Sequence, residues 1–173
     1  MKQVLIPLGI LLAVMLGFYW ISTRNVVKND EKTVVSDGQI YFESDDKLVA
    51  GEEKEIKLMA KYSKGEILSY RVDFNFDSTM VNILNVEVNK EIFSKVAQSE
   101  IDAVMGKVMI IGEGNQGQGN ENGEVLLAVI KMKGLKKGSS MFYASRKAES
   151  EVLEEGNRIK GNLTMPNFKM SIL

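Results

Sequence analysis

A glycine-rich stretch past the middle of the chain has the spacing of a nucleotide-binding motif. Residues 112–117 of the 173-residue chain read GEGNQG, which matches G-x-G-x-x-G after an apolar run. The dinucleotide motif also requires its third glycine to open a helix, whose N-terminus then meets the pyrophosphate. The next residues, 118–123, read QGNENG and cannot start a helix. We therefore predict a long flexible loop between strands and no nucleotide cofactor.

A second motif resembles the start of a calcium-binding loop. Residues 73–77 read DFNFD, which matches the D-x-N-x-D opening of an EF-hand. An EF-hand then needs glycine at its sixth position and glutamate at its twelfth. Ser78 and Leu84 stand at those positions. Phe74 and Phe76 also fit the alternation of a β-strand, so the pattern favours a strand with a polar outer face.

Side chains that could perform catalysis are scarce. The chain has no His and no Cys, which excludes thiol nucleophiles, serine–histidine triads and the usual zinc sites. Adjacent acids occur at Asp45-Asp46, Glu52-Glu53 and Glu154-Glu155, but neighbours in an extended chain point to opposite faces. The net charge of −1 offers no broad basic surface for nucleic acid. We predict no enzyme, no cofactor and no dedicated metal site, and weak calcium binding by loop acids stays open.

The elements that carry these residues alternate with a period of two. Tyr70, Val72, Phe74 and Phe76 alternate with polar residues, which predicts a half-buried strand. Further strands are predicted at Val81–Val88, Phe93–Ile101, Lys107–Gly112, Glu124–Lys133, Ser139–Ser145 and Phe168–Leu173. Turn residues separate these runs, and strands do not alternate with helices, so the predicted class is all-β.

The first residues have the character of a membrane anchor. Residues 4–21 carry no charge, and as a helix they would span about 27 Å, close to a hydrocarbon core of about 30 Å. The residues predicted to contact lipid are Val4, Leu5, Ile6, Leu11, Leu12, Phe18, Trp20 and Ile21. We predict one N-terminal transmembrane helix at residues 1–21, a linker at 22–38 and one domain at 39–173.

A cleaved signal peptide is the alternative for the same segment. Cleavage needs a shorter apolar run and a small-x-small site, and the sequence Trp20-Ile21-Ser22 fits such a site poorly. The flanking charges, Lys2 before the segment and Arg24, Lys28 and Lys32 after it, favour a cytoplasmic domain by the positive-inside rule. Cleavage and orientation therefore stay open on this evidence.

Four stretches of the predicted domain, taken together, resemble a known family, although none of them is specific alone. They are LVAGE at 48–52 with the run 55–60 after it, the aromatic strand and its successor at 67–88, GEVLLAVIKM at 123–132, and the closing segment 150–173. In this order and spacing they resemble the cohesin domain of cellulosome scaffolding proteins. The likeness covers nearly all of the chain that follows the predicted linker.

The resemblance implies a nine-stranded jelly-roll β-sandwich, without catalytic residues, that docks a dockerin module through one sheet face. On the aromatic strand the outward positions are Ser69, Arg71, Asp73 and Asn75, and these are the predicted partner-binding residues. At the positions of Ser69 and Arg71, cohesins commonly carry Asn and Asp. Because the family is extracellular, we predict a single-pass cell-membrane protein with an extracytoplasmic domain, against the local charge signal.

Two other roles fit the same predicted sandwich. One is carbohydrate or polysaccharide binding, which usually requires exposed aromatic rings that stack on sugars; Trp20 is the chain's one Trp and lies in the predicted anchor. The other is a structural subunit of the cell envelope. A glycan array would test the first role, and ordered polymers would support the second.

Overall fold

The computed structural model describes residues 35–118 and 123–173, and over these ranges it is built of β-strands and turns. The strands are β1 (Val35–Glu43), β2 (Lys47–Leu48), β3 (Glu53–Tyr62), β4 (Glu66–Asn75), β5 (Val81–Val88), β6 (Val96–Asp102), β7 (Lys107–Gln118), β8 (Glu124–Gly134), β9 (Gly138–Ala144), β10 (Ala148–Glu154), β11 (Asn157–Thr164) and β12 (Phe168–Ile172). The predicted all-β class is confirmed. The structure has twelve strands where the resemblance implied nine, and one of the twelve is the two-residue β2.

The predicted membrane anchor, residues 4–21, lies outside the described residues, as does most of the predicted linker. Within the part of the chain that the structure describes, no helix is long and apolar enough to cross a membrane. β1 begins at Val35, inside the stretch that the sequence assigned to the linker.

Hydrogen-bonded strands follow one another in the order β2-β12-β9-β4-β10-β11-β1-β3-β8-β5, with β7 and β6 added beside β4. Nearly all neighbours are antiparallel, but β1 runs parallel to β11 and β12 runs parallel to β2. β1, the first described strand, pairs with β11 on one side and with β3 on the other.

Aromatic side chains fill the space between the layers. The ring of Phe42 lies 5.7 Å from that of Phe74 and 5.5 Å from that of Phe142, centroid to centroid, in edge-to-face arrangements. Tyr70, Val72, Phe74 and Phe76 are all buried, which confirms the alternation predicted for β4. Their burial removes large apolar surfaces from water, and each such side chain contributes about 1.5–3 kcal/mol to stability.

Two buried tyrosines connect strands through their hydroxyl groups. Tyr62 donates to Ser150 Oγ at 2.5 Å, and Tyr70 donates to the carbonyl oxygen of Leu127 at 2.8 Å. Burial raises the pKa of both hydroxyls above the ordinary 10.0, and for Tyr62 the bond to Ser150 offsets only part of that rise. Both hydroxyl groups therefore stay neutral, and their hydrogen bonds stabilise the core.

The glycine-rich stretch is wrongly predicted as a loop over residues 113–118, which belong to β7. Gly112 has a packing role there, because an added Cβ would come within 2.4 Å of the Tyr70 ring and 2.8 Å of the Phe93 ring. The pairing shifts register beyond this point, since Glu113 lies opposite Ser69 but Gln118 opposite Ile67. A bulge thus accommodates the additional residues, and the glycines favour close strand contact.

Two smaller differences concern strand ends. β6 begins at Val96 and not at Phe93, because the Phe93 N–H is bonded to the Asn89 carbonyl in a turn and its ring packs on Tyr70 at 4.7 Å. The predicted strand Ser139–Ser145 corresponds to β9, which begins at Gly138 and ends at Ala144.

Candidate binding face

The four predicted binding residues lie on one side of β4 at alternate positions. Ser69, Arg71, Asp73 and Asn75 are each partly exposed, whereas the residues between them are buried. β4 lies inside the sheet, with β7 on one side and β10 and β9 on the other. We call the outward surface of β4, of its neighbours β7, β9 and β10, and of β6 on the far side of β7 the β4 face.

Strand register decides which side chains surround the four residues. Across β7, Ser69 lies opposite Glu113, Arg71 opposite Ile111 and Asp73 opposite Met109. Directly paired residues of antiparallel strands project to the same face. The β4 face therefore combines the polar positions of β4 with half-buried apolar side chains of β7.

Asp73 is held by two arginines at the centre of the β4 face. Its Oδ2 accepts from Arg71 Nε at 3.0 Å and from Arg146 Nε at 2.6 Å. The Asp73 side chain is only 16% exposed, against 37% for Arg71 and 42% for Arg146. The carboxylate thus lies beneath two guanidinium groups that remain open to solvent.

Arg146 was not predicted, although it completes this cluster. It lies in the connection between β9 and β10, where Ser145 N–H donates to the Asp73 carbonyl at 2.9 Å and holds the connection against β4. Its approach to Asp73 depends on pairing between positions 73 residues apart in sequence, so no local pattern could have revealed it.

A polar groove occupies the end of the β4 face near Ser69. Its volume is about 790 Å³, and its outward lining includes Ser69, Arg71, Glu113, Glu149, Lys160 and Asn162. Lys95 pairs with Glu113, and Arg158 lies 3.6 Å from Glu151 at the same end. Opposite charges are therefore interleaved here.

The opposite end of the β4 face is apolar. Met141 and Tyr143 project from β9, with Tyr143 directly opposite Asn75, and they are 42% and 44% exposed. Val104 and Met105 form the tip of the β6–β7 turn and are 89% and 62% exposed. Gly106, whose φ is +62°, holds this turn beside β4 by accepting the Phe76 N–H at 2.8 Å. The sequence analysis missed all four apolar residues.

Asn75 separates the two ends of the face. Its side-chain oxygen is buried without a hydrogen-bond partner among the described residues. It lies opposite Lys107 on β7 and Tyr143 on β9. A buried acceptor without a donor costs about 1–3 kcal/mol.

Two of the acids considered as calcium ligands, Asp45 and Asp77, have other partners. Lys54 Nζ pairs with the Asp45 carboxylate and thereby lowers its pKa. Asp77 accepts from the backbone N–H and the hydroxyl of Thr79, which lowers its pKa. Among the described residues, no group of three or more acids is placed to hold a metal ion.

No protein-family profile and no curated protein matches the chain. Solved structures do match it. The seventh ScaB type I cohesin of Pseudobacteroides cellulosolvens has a TM-score of 0.62 at 13% identity, covering 80% of this chain and 92% of that one. The OlpC cohesin of Clostridium thermocellum, solved in complex with the dockerin Doc435, has a TM-score of 0.59 at 15% identity, covering 80% and 93%.

A third structure extends the likeness to a different protein context. It is the cohesin module of a family 33 glycoside hydrolase from Clostridium perfringens, with a TM-score of 0.60 at 15% identity, covering 81% of this chain and 98% of that one. All three matches span nearly the whole of the matched module. The described part of the chain therefore has the cohesin fold.

Proposed function

We propose that this domain is a non-catalytic docking module that binds a dockerin-like protein partner through the β4 face. The observation that carries the proposal is the pairing of the cohesin fold with an outward surface on β4 that has four partly exposed positions. The OlpC cohesin is a binding module by its solved complex with a dockerin. The absence of His and Cys from the sequence also favours binding over catalysis.

The physical character of the β4 face suits a protein partner. Stable protein interfaces bury about 800 Å² on each side and depend on a few anchors, among which Tyr and Arg are enriched. The face offers an exposed tyrosine, Tyr143 on β9, and two arginines that reach solvent, Arg71 on β4 and Arg146 in the β9–β10 connection. The polar groups around them would set the register of the partner.

Binding measurements with the full-length chain test this proposal. Dockerin modules such as Doc435 are titrated into the wild type and into Tyr143→Asp, with Tyr41→Phe, at a partly buried position on β1, as the control. We expect saturable binding by at least one dockerin, at least tenfold weaker for Tyr143→Asp and unchanged for the control. Binding of dockerins that is equal in all three proteins would contradict the proposed surface.

A carbohydrate ligand is the second candidate, favoured by the polar groove near Ser69. Against it, the one aromatic side chain at the groove, Tyr70, is 2% exposed and has its ring against Phe93. Sugar binding would then rest on hydrogen bonds without a stacking platform. Micromolar binding on a glycan array, lost in Glu149→Ala, together with no dockerin binding, would favour this candidate.

We also propose that residues 4–21 anchor the chain in the cell membrane with the domain on the extracytoplasmic side. The support is the uncharged run in the sequence and the extracellular role that the cohesin resemblance implies. Protease treatment of intact cells tests it. We expect digestion of the domain, and full protection in intact cells would contradict the proposed orientation.

A further inference from the structure

We infer that the partner presents an acidic side chain to Arg71 and Arg146, next to an apolar residue that packs on Tyr143. This inference rests on the proposed function, because it specifies the chemistry of the partner at the β4 face. The three residues lie on or beside β4 and β9, within one contiguous part of the face.

The first argument is the charge of the arginine cluster. Arg71 and Arg146 share a single carboxylate, that of Asp73, so the cluster carries a net positive charge. Arg146 uses its Nε for this contact, which leaves the outer N–H groups of its guanidinium for another acceptor. Guanidinium groups bind carboxylates through paired hydrogen bonds, which are about twice as strong as neutral ones.

The second argument is that, among the described residues, no acid on the face other than Asp73 forms an ion pair with the two arginines. Glu149 is directly opposite Arg71 on β10, and Glu100 lies beyond Met109 on β6. Among the described residues, neither acid forms an ion pair within 4.0 Å of Arg71 or Arg146.

The third argument is the apolar surface beside the cluster. Tyr143 and Met141 on β9 and Val104 at the β6–β7 turn are exposed at the same end of β4. Asp73 lies in the arginine cluster, and Asn75 lies opposite Tyr143 in the apolar part. These two residues are two positions apart on β4, which is a distance of about 7 Å. Residues one helical turn apart are separated by about 5–6 Å, so one partner helix could contact both parts.

The polarity of this surface decides the class of partner. A partner that presented lysine or arginine here would place its charge against two guanidinium groups, and like charges in contact disfavour binding strongly. A partner that presented a hydroxyl group would offer the guanidinium N–H groups only a neutral acceptor, which forms a weaker hydrogen bond than a carboxylate does. An acidic residue flanked by apolar ones satisfies both the arginines and the exposed apolar surface.

A display selection tests the inference without a known natural partner. The probe is a yeast-displayed library of dockerin-sized helical modules randomised at surface positions, selected against the immobilised full-length chain. Each selected module is then titrated against the wild type, Arg146→Glu, Lys147→Glu and Tyr143→Asp. Lys147→Glu is the matched control, since it makes the same charge change at the next residue without a contact to Asp73.

We expect selected modules to be enriched in Asp or Glu next to Leu or Phe. Arg146→Glu should weaken their binding at least 30-fold, Lys147→Glu less than threefold and Tyr143→Asp at least tenfold. Affinity for the wild type should fall as salt concentration rises, and Arg146→Gln should reduce that dependence. All variants should keep a melting temperature close to that of the wild type, because the substituted side chains are exposed.

The titrations distinguish a failure of this inference from a failure of the proposed function. Modules that lose binding with Tyr143→Asp but bind Arg146→Glu as well as the wild type would overturn the acidic partner and keep the proposed face. Modules that bind all four proteins equally would overturn the proposed function itself.

Discussion

The inner and outer sides of β4 belong to one strand, but different interactions determine which residues lie beside each side. On the inner side, Phe74 is fully buried and contacts Phe42 and Phe142, both of which are also buried. On the outer side, Asp73 is neighbour to a different set of residues, drawn from β7 and the β9–β10 connection. The inner side is fixed by packing and volume, whereas the outer side is fixed by which charges the register brings together.

The largest loss of stability is expected from a substitution at the centre of the inner side of β4. Phe74→Ala should lower the free energy of unfolding by about 3–5 kcal/mol, because the cavity adds to the lost burial. That is a large part of the 5–15 kcal/mol typical of a domain. Urea unfolding measures it, with Asn75→Ala as the control on the outer side of the same strand. A loss for Phe74→Ala no larger than the control's would contradict the assigned core.

Alkaline pH should produce the next largest effect through the buried tyrosines. The pKa values of Tyr62 and Tyr70 are raised by burial, so their neutral forms contribute stability that is complete below pH 10 and is lost as the pH rises. At pH 11 the loss is up to about 1.4 kcal/mol for each ring.

Melting temperatures between pH 8 and pH 11.5 measure this dependence. The decline above pH 10 should be shallower for Tyr62→Phe than for the wild type, and unchanged for Tyr143→Phe. Equal slopes in all three proteins would contradict the link between burial and ionisation.

Removing one buried hydroxyl group should have a smaller effect. Tyr62→Phe leaves the Ser150 hydroxyl without its partner in the core and should cost about 1–2 kcal/mol at neutral pH. The matched variant on the outer side, Tyr143→Phe, should change stability by less than about 0.5 kcal/mol. Thermal unfolding compares the two, and a neutral Tyr62→Phe would show that the hydrogen bond contributes nothing.

The smallest effect on stability is expected at the arginine cluster. Arg71→Ala removes a partly exposed ion pair with Asp73, and such pairs contribute about 0–1 kcal/mol. We expect a small shift in urea midpoint but a clear loss of partner binding. A destabilisation above about 2 kcal/mol would mean that the outer side also carries the fold, and that the comparison between the two sides is wrong.

The inner side of β4 could be predicted from sequence because its signal is local. Alternating apolar residues at positions 70 to 76 specify a face whatever strands lie beside them. The same alternation placed Ser69, Arg71, Asp73 and Asn75 together on the other side, and the structure agrees with that placement. Whether these residues bind a partner stays a prediction.

The rest of the face could not be predicted because it depends on strand order. Met141 and Tyr143 reach the face only because β9 pairs with the end of β4, and Arg146 because the following connection bonds to Asp73. The glycine-rich stretch was wrongly predicted as a loop for a related reason. Residues 113–118 have the composition of a loop, but they continue β7 beyond Gly112, whose missing side chain makes room for the Tyr70 ring.

The parallel pairing of β1 with β11 has a consequence for the order of events in biosynthesis. Asp37 and Asn162 are joined by a hydrogen bond at 2.9 Å although they are 125 positions apart in the sequence. A nascent chain therefore cannot pair β1 with β11 until β11 has been synthesised, although β3 becomes available to β1 much earlier. Such distant pairing slows folding, typically to milliseconds or seconds, and leaves early strand edges uncovered meanwhile. Chaperones that shield β1 during this interval would raise the yield of the finished domain.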